Sequence, residues 1–155
     1  MKAIFVESSN GYLATGPDDN MMWTPRLDKQ LFKLLSCAFG GICVCSRHTY
    51  ELLPAKMRYD ENRNFIIAER AGAKSLYNLN RIYPNAVLVG GPTFLKAAYQ
   101  AKVIDTFIVT TLNDRIANSA KYENPFIDIL LQSEMLCEIK FKELTVRVYK
   151  NEYKY

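Results

Sequence analysis

Along the chain, short apolar runs alternate with stretches whose apolar residues return every three or four positions. Ala3 to Val6 is an unbroken apolar run of the kind that a strand buried on both faces carries, and Glu7-Ser8-Ser9-Asn10-Gly11 breaks it with turn formers. Tyr12 to Met22 has no period and contains Gly16-Pro17-Asp18-Asp19-Asn20, which predicts a long surface loop closed by Trp23. From Leu27 the spacing changes. Leu27, Leu31, Leu34 and Leu35, with Phe32 beside them, mark the face of a helix laid on a sheet. Thr24 is its expected N-cap, Pro25 its first helical residue, and Asp28 lies in its first turn.

Gly40-Gly41 ends that helix, and Ile42 to Cys45 is a second buried strand. Ser46-Arg47-His48-Thr49 feeds a short helix, Tyr50 to Leu53, closed by Pro54. A polar loop over Met57 to Asn62 precedes a third strand, Arg63 to Ala68, and Glu69 to Asn85 reads as a tight connection with a short helix near Leu76 to Tyr83. Val87-Leu88-Val89 is a strand running into Gly90-Gly91-Pro92-Thr93. Phe94, Leu95, Ala98 and Ala101 then give a helical face ending near Lys102. Asp105 to Leu112 is a further strand, and a polar loop covers Asn113 to Asn124. In the tail Ile139 and Phe141, then Leu144, Val146 and Val148, alternate as two antiparallel extended segments do. The class is α/β: a single domain over residues 1–155, with a central mixed, mostly parallel sheet, helices on both faces and an antiparallel C-terminal edge.

Composition narrows the partners. The net charge is +4, with 20 basic against 16 acidic residues and no run of five like charges, which favours an anionic small molecule over nucleic acid. Cys37, Cys43, Cys45 and Cys137 lack the spacing of zinc or redox pairs and read as reduced core thiols; no metal is expected. The amino terminus reaches Glu7 too soon for a signal peptide, and no run of about eighteen apolar residues occurs, so no membrane partner and a cytoplasmic location are expected.

Two strand-to-helix junctions carry candidate chemistry. At Gly90-Gly91-Pro92 the main chain lies bare before a helix N-terminus, which suits either a plain turn or an anion site. Ser46-Arg47-His48-Thr49 offers hydroxyls, a guanidinium and the chain's only histidine at another helix start. Taken alone, His48 reads first as a surface or capping residue, and Asp28 as a helix-dipole or capping residue.

Taken together, these residues resemble the dihydrofolate reductase superfamily, which includes the reductase domain of riboflavin biosynthesis. Trp23, Asp28 and Phe32, followed by Lys33, keep the family's spacing of loop tryptophan, catalytic acid and phenylalanine. Ser46-Arg47-His48-Thr49-Tyr50-Glu51 matches its Gly-Arg-x-Thr-x-Glu segment, and Arg63-Asn64-Phe65-Ile66-Ile67-Ala68-Glu69-Arg70 its Arg-x-Asn-Ile-Val-Leu-Thr-Arg strand. Gly90-Gly91 matches the cofactor glycines, and Thr110 the threonine that hydrogen-bonds the acid. The resemblance implies reduction of dihydrofolate by NADPH in a monomer or homodimer. Asp28, Trp23 and Thr110 would be catalytic, and Val6, Phe32, Leu53 and Arg63 would bind substrate. Ala14, Met21, Ser46, Arg47, His48, Thr49 and Arg70, with Gly90, Gly91, Pro92 and Thr93, would bind cofactor.

Reducing a pterin C=N bond needs a hydride donor and a proton source, and a carboxylate in an apolar cleft, its pKa raised, fits the second role. Glu69, beside Arg70, would oppose a 2′-phosphate and weaken preference for NADPH over NADH. The chain departs from the family at Ser46 for Gly, Phe65 for Asn, Pro92 for Gly and Met22 for Pro, and in a longer stretch from Asn10 to Trp23 and a shorter one from Glu69 to Ala86. Lys96 to Thr106 is nearer the riboflavin type. Two alternatives therefore stand: a reductase of a ribosylamino-pyrimidine, and a catalytically inactive reductase-like binding or structural protein, one of viral origin included.

Overall fold

The computed structural model describes residues 1–19, 21, 23–70, 72–116 and 120–153. Its strands are β1 (Lys2–Glu7), β2 (Ile42–Cys45), β3 (Asn64–Ile67), β4 (Val87–Val89), β5 (Thr106–Leu112), β6 (Glu134–Lys140) and β7 (Leu144–Lys150). Its helices are α1 (Arg26–Ala38), α2 (Arg47–Leu52), α3 (Ala55–Arg58), α4 (Leu76–Ile82), α5 (Pro92–Gln100) and α6 (Ile127–Gln132), with a 3₁₀ turn at Ala120–Tyr122. The strands form one mixed sheet in the order β3-β2-β4-β1-β5-β7-β6. The first five run parallel, β7 runs antiparallel to β5, and β6 antiparallel to β7.

Side chains alternate across the sheet, so each strand feeds two apolar layers. Ala3, Phe5 and Val44 pack with Leu79 of α4, Leu95 and Ala98 of α5, and Leu130 of α6. Ile4, Val6 and Cys43 pack on the other face with Leu27, Leu31, Phe32 and Leu35 of α1 and Tyr50 of α2. Helices thus cover both faces, as the alternation of apolar runs and helical periods implies. The direction of the crossovers explains which helix lies where. From β1 the chain moves through α1 toward β2 and β3; from β4 it moves through α5 the other way, to β5. With right-handed crossovers the two directions must place their helices on opposite faces.

Several details differ from expectation. Pro25, not Thr24, occupies the cap position of α1, and it makes no side-chain cap bond. Thr24 Oγ1 instead donates to Met21 O, so the hydroxyl is spent on the preceding loop. Leu34 is 64% exposed, because the buried stripe of α1 is centred nearer Leu31, Leu35 and Ser36 and leaves Leu34 at its rim. The helix α6 follows the polar loop unannounced, since six residues give less than two turns of periodicity. β6 starts at Glu134, earlier than the alternation at Ile139 indicates, and is solvent-exposed along its length. Cys137 lies on it and is exposed, so it is not a core thiol, whereas Cys43 and Cys45 are buried. Burial pushes the Cys43 thiol up to about 12 and Cys45 to about 11, which leaves both protonated and inert. Among the described residues no helix is long and apolar enough to cross a membrane.

Candidate active site

The site is built around a strand that stops early. β4 has three residues and pairs with β1 only through Lys2↔Val87 and Ala3↔Leu88, whereas β1 continues to Glu7 against β5. Lys2 N–H donates to Ala86 O, which fixes the parity: Lys2, Ile4 and Val6 turn their main-chain groups toward β4. Val6 lies beyond the last rung, so its N–H and C=O face a gap. Below the gap the chain turns at Gly90-Gly91 into α5, while the loops after β1 and β2 leave over the opposite face. Neighbouring strands whose loops diverge in this way open a crevice at the carboxyl end of a parallel sheet.

Asp28 lies in the first turn of α1, the helix that follows the carboxyl end of β1. Successive helical residues turn by about 100°, which places Asp28 about 20° from Leu35 and about 40° from Phe32, within the stripe that faces the sheet. Its carboxyl is half-buried and makes no hydrogen bond to any described residue. Burial pushes its pKa up to about 6, against the pull of the neighbouring Lys29 ammonium. Val6, Leu53, Phe32, Met21 and Trp23 pack in the same apolar layer. Thr110 is buried in register with Val6 on β5, facing that layer too, but it makes no hydrogen bond to Asp28.

The loop beside Asp28 is ordered by a residue that motif and periodicity did not single out. Asp19 Oδ2 accepts from Trp23 Nε1 at 2.7 Å, Thr15 N at 2.7 Å and Thr15 Oγ1 at 3.1 Å, and its Oδ1 accepts from Met21 N at 2.6 Å. Met21 adopts a left-handed backbone, φ 63°, which is costly for a side chain of this kind and is held from both sides. Its carbonyl accepts from Thr24 N and Thr24 Oγ1 and from Lys29 Nζ. Met22, where the family carries proline, lies outside the described residues. Ala14 is half-buried, just after Leu13, whose N–H bonds Tyr122 O.

The two helix starts expected to hold a dinucleotide differ in their readiness. Ser46 caps α2, its Oγ accepting from Thr49 N at 3.2 Å and donating to Thr49 Oγ1 at 3.1 Å. A glycine there would leave that N–H free. Arg47 pairs with Glu69 at 3.5 Å, both exposed, so the acid expected to oppose a 2′-phosphate beside Arg70 lies against the Arg47 guanidinium. Arg70 is exposed, and His48 donates from Nε2 to Pro17 O at 2.6 Å, tying α2 to the loop. The start of α5 carries no side-chain cap, and a Cβ on Gly91 would meet nothing within 4 Å, so that stretch of main chain is open. Gly90 is different. A Cβ there would come 2.8 Å from Phe94 Cδ1, so its bareness serves the packing of Phe94. Pro92 is the first helical residue, as expected, and is buried. It and Thr93 line a separate cavity of about 370 Å³ on the flank of α5, with Lys96, Lys121 and Asn124.

Arg63, the expected partner of a substrate carboxylate, is 7% exposed and already engaged. Its Nε and Nη2 both donate to Asp60 Oδ2, at 3.1 and 2.8 Å, and its guanidinium lies over the Phe32 and Phe65 rings. The Asn62 N–H and Arg63 hold the Asp60 carboxyl down at about 2. Arg63 Nη1 is buried with no hydrogen-bond partner among the described residues, which leaves both of its N–H groups unspent.

The structure therefore gathers Val6, Met21, Trp23, Asp28, Phe32, Leu53 and Thr110 on the α1 face, with Gly91 below the gap. Pro92 and Thr93 turn to the far flank, and Arg63 is withdrawn behind Asp60. No protein-family model and no characterised protein matches the chain.

Proposed function

We propose that the chain is an NADPH-dependent reductase of the dihydrofolate reductase superfamily, transferring hydride to the pterin ring of dihydrofolate to give tetrahydrofolate. The observation that carries this reading is Asp28, a half-buried carboxyl with no hydrogen-bond partner among the described residues, its pKa raised to about 6 by burial. A pterin presents an amino group and a ring N–H side by side, and a carboxylate accepts both. A pKa near 6 also places the group where it trades protons close to neutral pH, as the ring nitrogen requires when hydride arrives. Phe32 and Leu53 supply apolar walls for the flat ring, and Val6 offers main-chain N–H and C=O at the gap.

NADPH supplies the hydride when bound. The residues suit it unevenly. The uncapped start of α5 and the open main chain at Gly91 favour an anionic group. The Ser46 hydroxyl on Thr49 N–H and the Glu69 carboxylate on Arg47 occupy donors that phosphates would use. A weak preference for NADPH over NADH follows from that arrangement.

One observation favours a second substrate. Arg63 is tied to Asp60, so it offers little to a glutamyl carboxylate, and a ribosylamino-pyrimidine has no such tail. The test follows absorbance of the reduced nicotinamide with each substrate. Turnover of dihydrofolate, with a higher KM in Arg63→Ala, supports the folate reading. Turnover of the pyrimidine alone selects the second reading, and no turnover or NADPH binding at all overturns both.

A further inference from the structure

We propose that Asp19 is a positioning residue of this site, which fixes the indole of Trp23 through its carboxylate; the kinetic part of the inference rests on the reductase reading, the geometric part does not. Trp23 closes the loop two residues before the cap of α1, and its ring packs in the apolar layer with Val6, Leu27 and Phe32. Packing confines the ring but gives its N–H no partner. The indole N–H is a donor only, and Asp19 Oδ2 receives it at 2.7 Å, which selects one orientation of the ring.

The same carboxylate reaches back and forward along the loop. Its bonds to Thr15 N, Thr15 Oγ1 and Met21 N join both limbs and help hold Met21 at φ 63°. With four donors on two oxygens, Asp19 has little acceptor capacity left, so it does not act as a base. Its effect on chemistry passes through Trp23. From the other side Lys29, next to Asp28, donates to Met21 O and to Thr24 O and Oγ1, so the loop and the first turn of α1 are pinned to one another. Loss of Asp19 releases the ring that lines the approach to Asp28.

Trp23 is the only tryptophan, so its fluorescence reports this contact without substrate. The full chain is compared with Asp19→Ala and Asp19→Asn by emission wavelength, acrylamide quenching and melting temperature, and then by steady-state reduction of dihydrofolate. Asp19→Ala is expected to shift emission and speed quenching, and to raise KM about tenfold, the factor that corresponds to a hydrogen bond to a charged group. The kcat, and the inflection near pH 6 in kcat/KM, stay close to wild type, because Asp28 is untouched. Asp19→Asn keeps an oxygen for the indole N–H and should restore the emission. Unchanged emission and quenching in Asp19→Ala overturn the proposal, and so does an emission change that Asp19→Asn fails to reverse. An inactive wild type overturns the reductase reading, while the fluorescence still decides the role of Asp19.

Discussion

Replacing Asp28 by Asn removes one ionisable proton and almost no volume, so it isolates the cost of keeping a charge in the α1 face. The carboxyl moves from its ordinary 3.8 to about 6 on folding, chiefly through burial. Between those values the unfolded chain has lost its proton and the folded chain keeps it, so stability falls as pH rises from about 4 to about 6 and is level above. The shift corresponds to about 3 kcal/mol at neutral pH. In a chain of this size that is about 6–12 °C in Tm. Asp28→Asn is thus expected to match wild type at pH 3.5 or below and to be more stable by about that amount at pH 7. Thermal or urea melts across the range measure the difference, and contributions from other carboxylates, such as Asp60, cancel in it. A difference that does not change with pH, or a less stable variant at pH 7, would refute the burial argument. In the same variant turnover should fall by about 10²–10⁴-fold, as loss of a positioned proton-transfer group does.

Two further outcomes follow. Gly90→Ala places a methyl 2.8 Å from Phe94 Cδ1 and should cost about 1–3 kcal/mol, seen as a lower Tm, whereas Gly91→Ala meets no neighbour and should cost less. Ser46→Gly frees the Thr49 N–H at the price of a cap worth a few tenths of a kcal/mol, so NADPH titration should give a lower Kd with little change in Tm; a weaker Kd would show that the hydroxyl itself serves the cofactor.

The alternation of apolar runs and helical periods made most of the fold legible, because β2, β4 and the buried centres of β1 and β5, Ala3 to Val6 and Phe107 to Val109, are wholly apolar. Helix ends were less legible. Thr24 and Pro25 have the right identities for cap and first residue, yet the preceding loop claims the threonine hydroxyl. The site divides along the same line. Asp28 and Phe32 are four residues apart, which helical geometry turns into proximity, and Trp23 packs in the same apolar layer as Phe32. Arg63 and Glu69 are each claimed by an opposite charge, Asp60 and Arg47, and no spacing announces which charge a guanidinium will meet. Asp19 was hidden for another reason. In Gly16-Pro17-Asp18-Asp19-Asn20 it reads as one more turn former, and only the folded loop distinguishes it from Asp18.

The three-residue length of β4 gives the crevice its own reporter. Past the last rung, the Val6 amide hydrogen has no strand carbonyl opposite it among the described residues, although its neighbours along β1 are locked into the sheet. In hydrogen exchange it should behave as an isolated fast position within a slow strand. Any flat ligand that brings an amide or ring acceptor into the gap takes the place of the missing strand, and slowing at this one position would register its arrival.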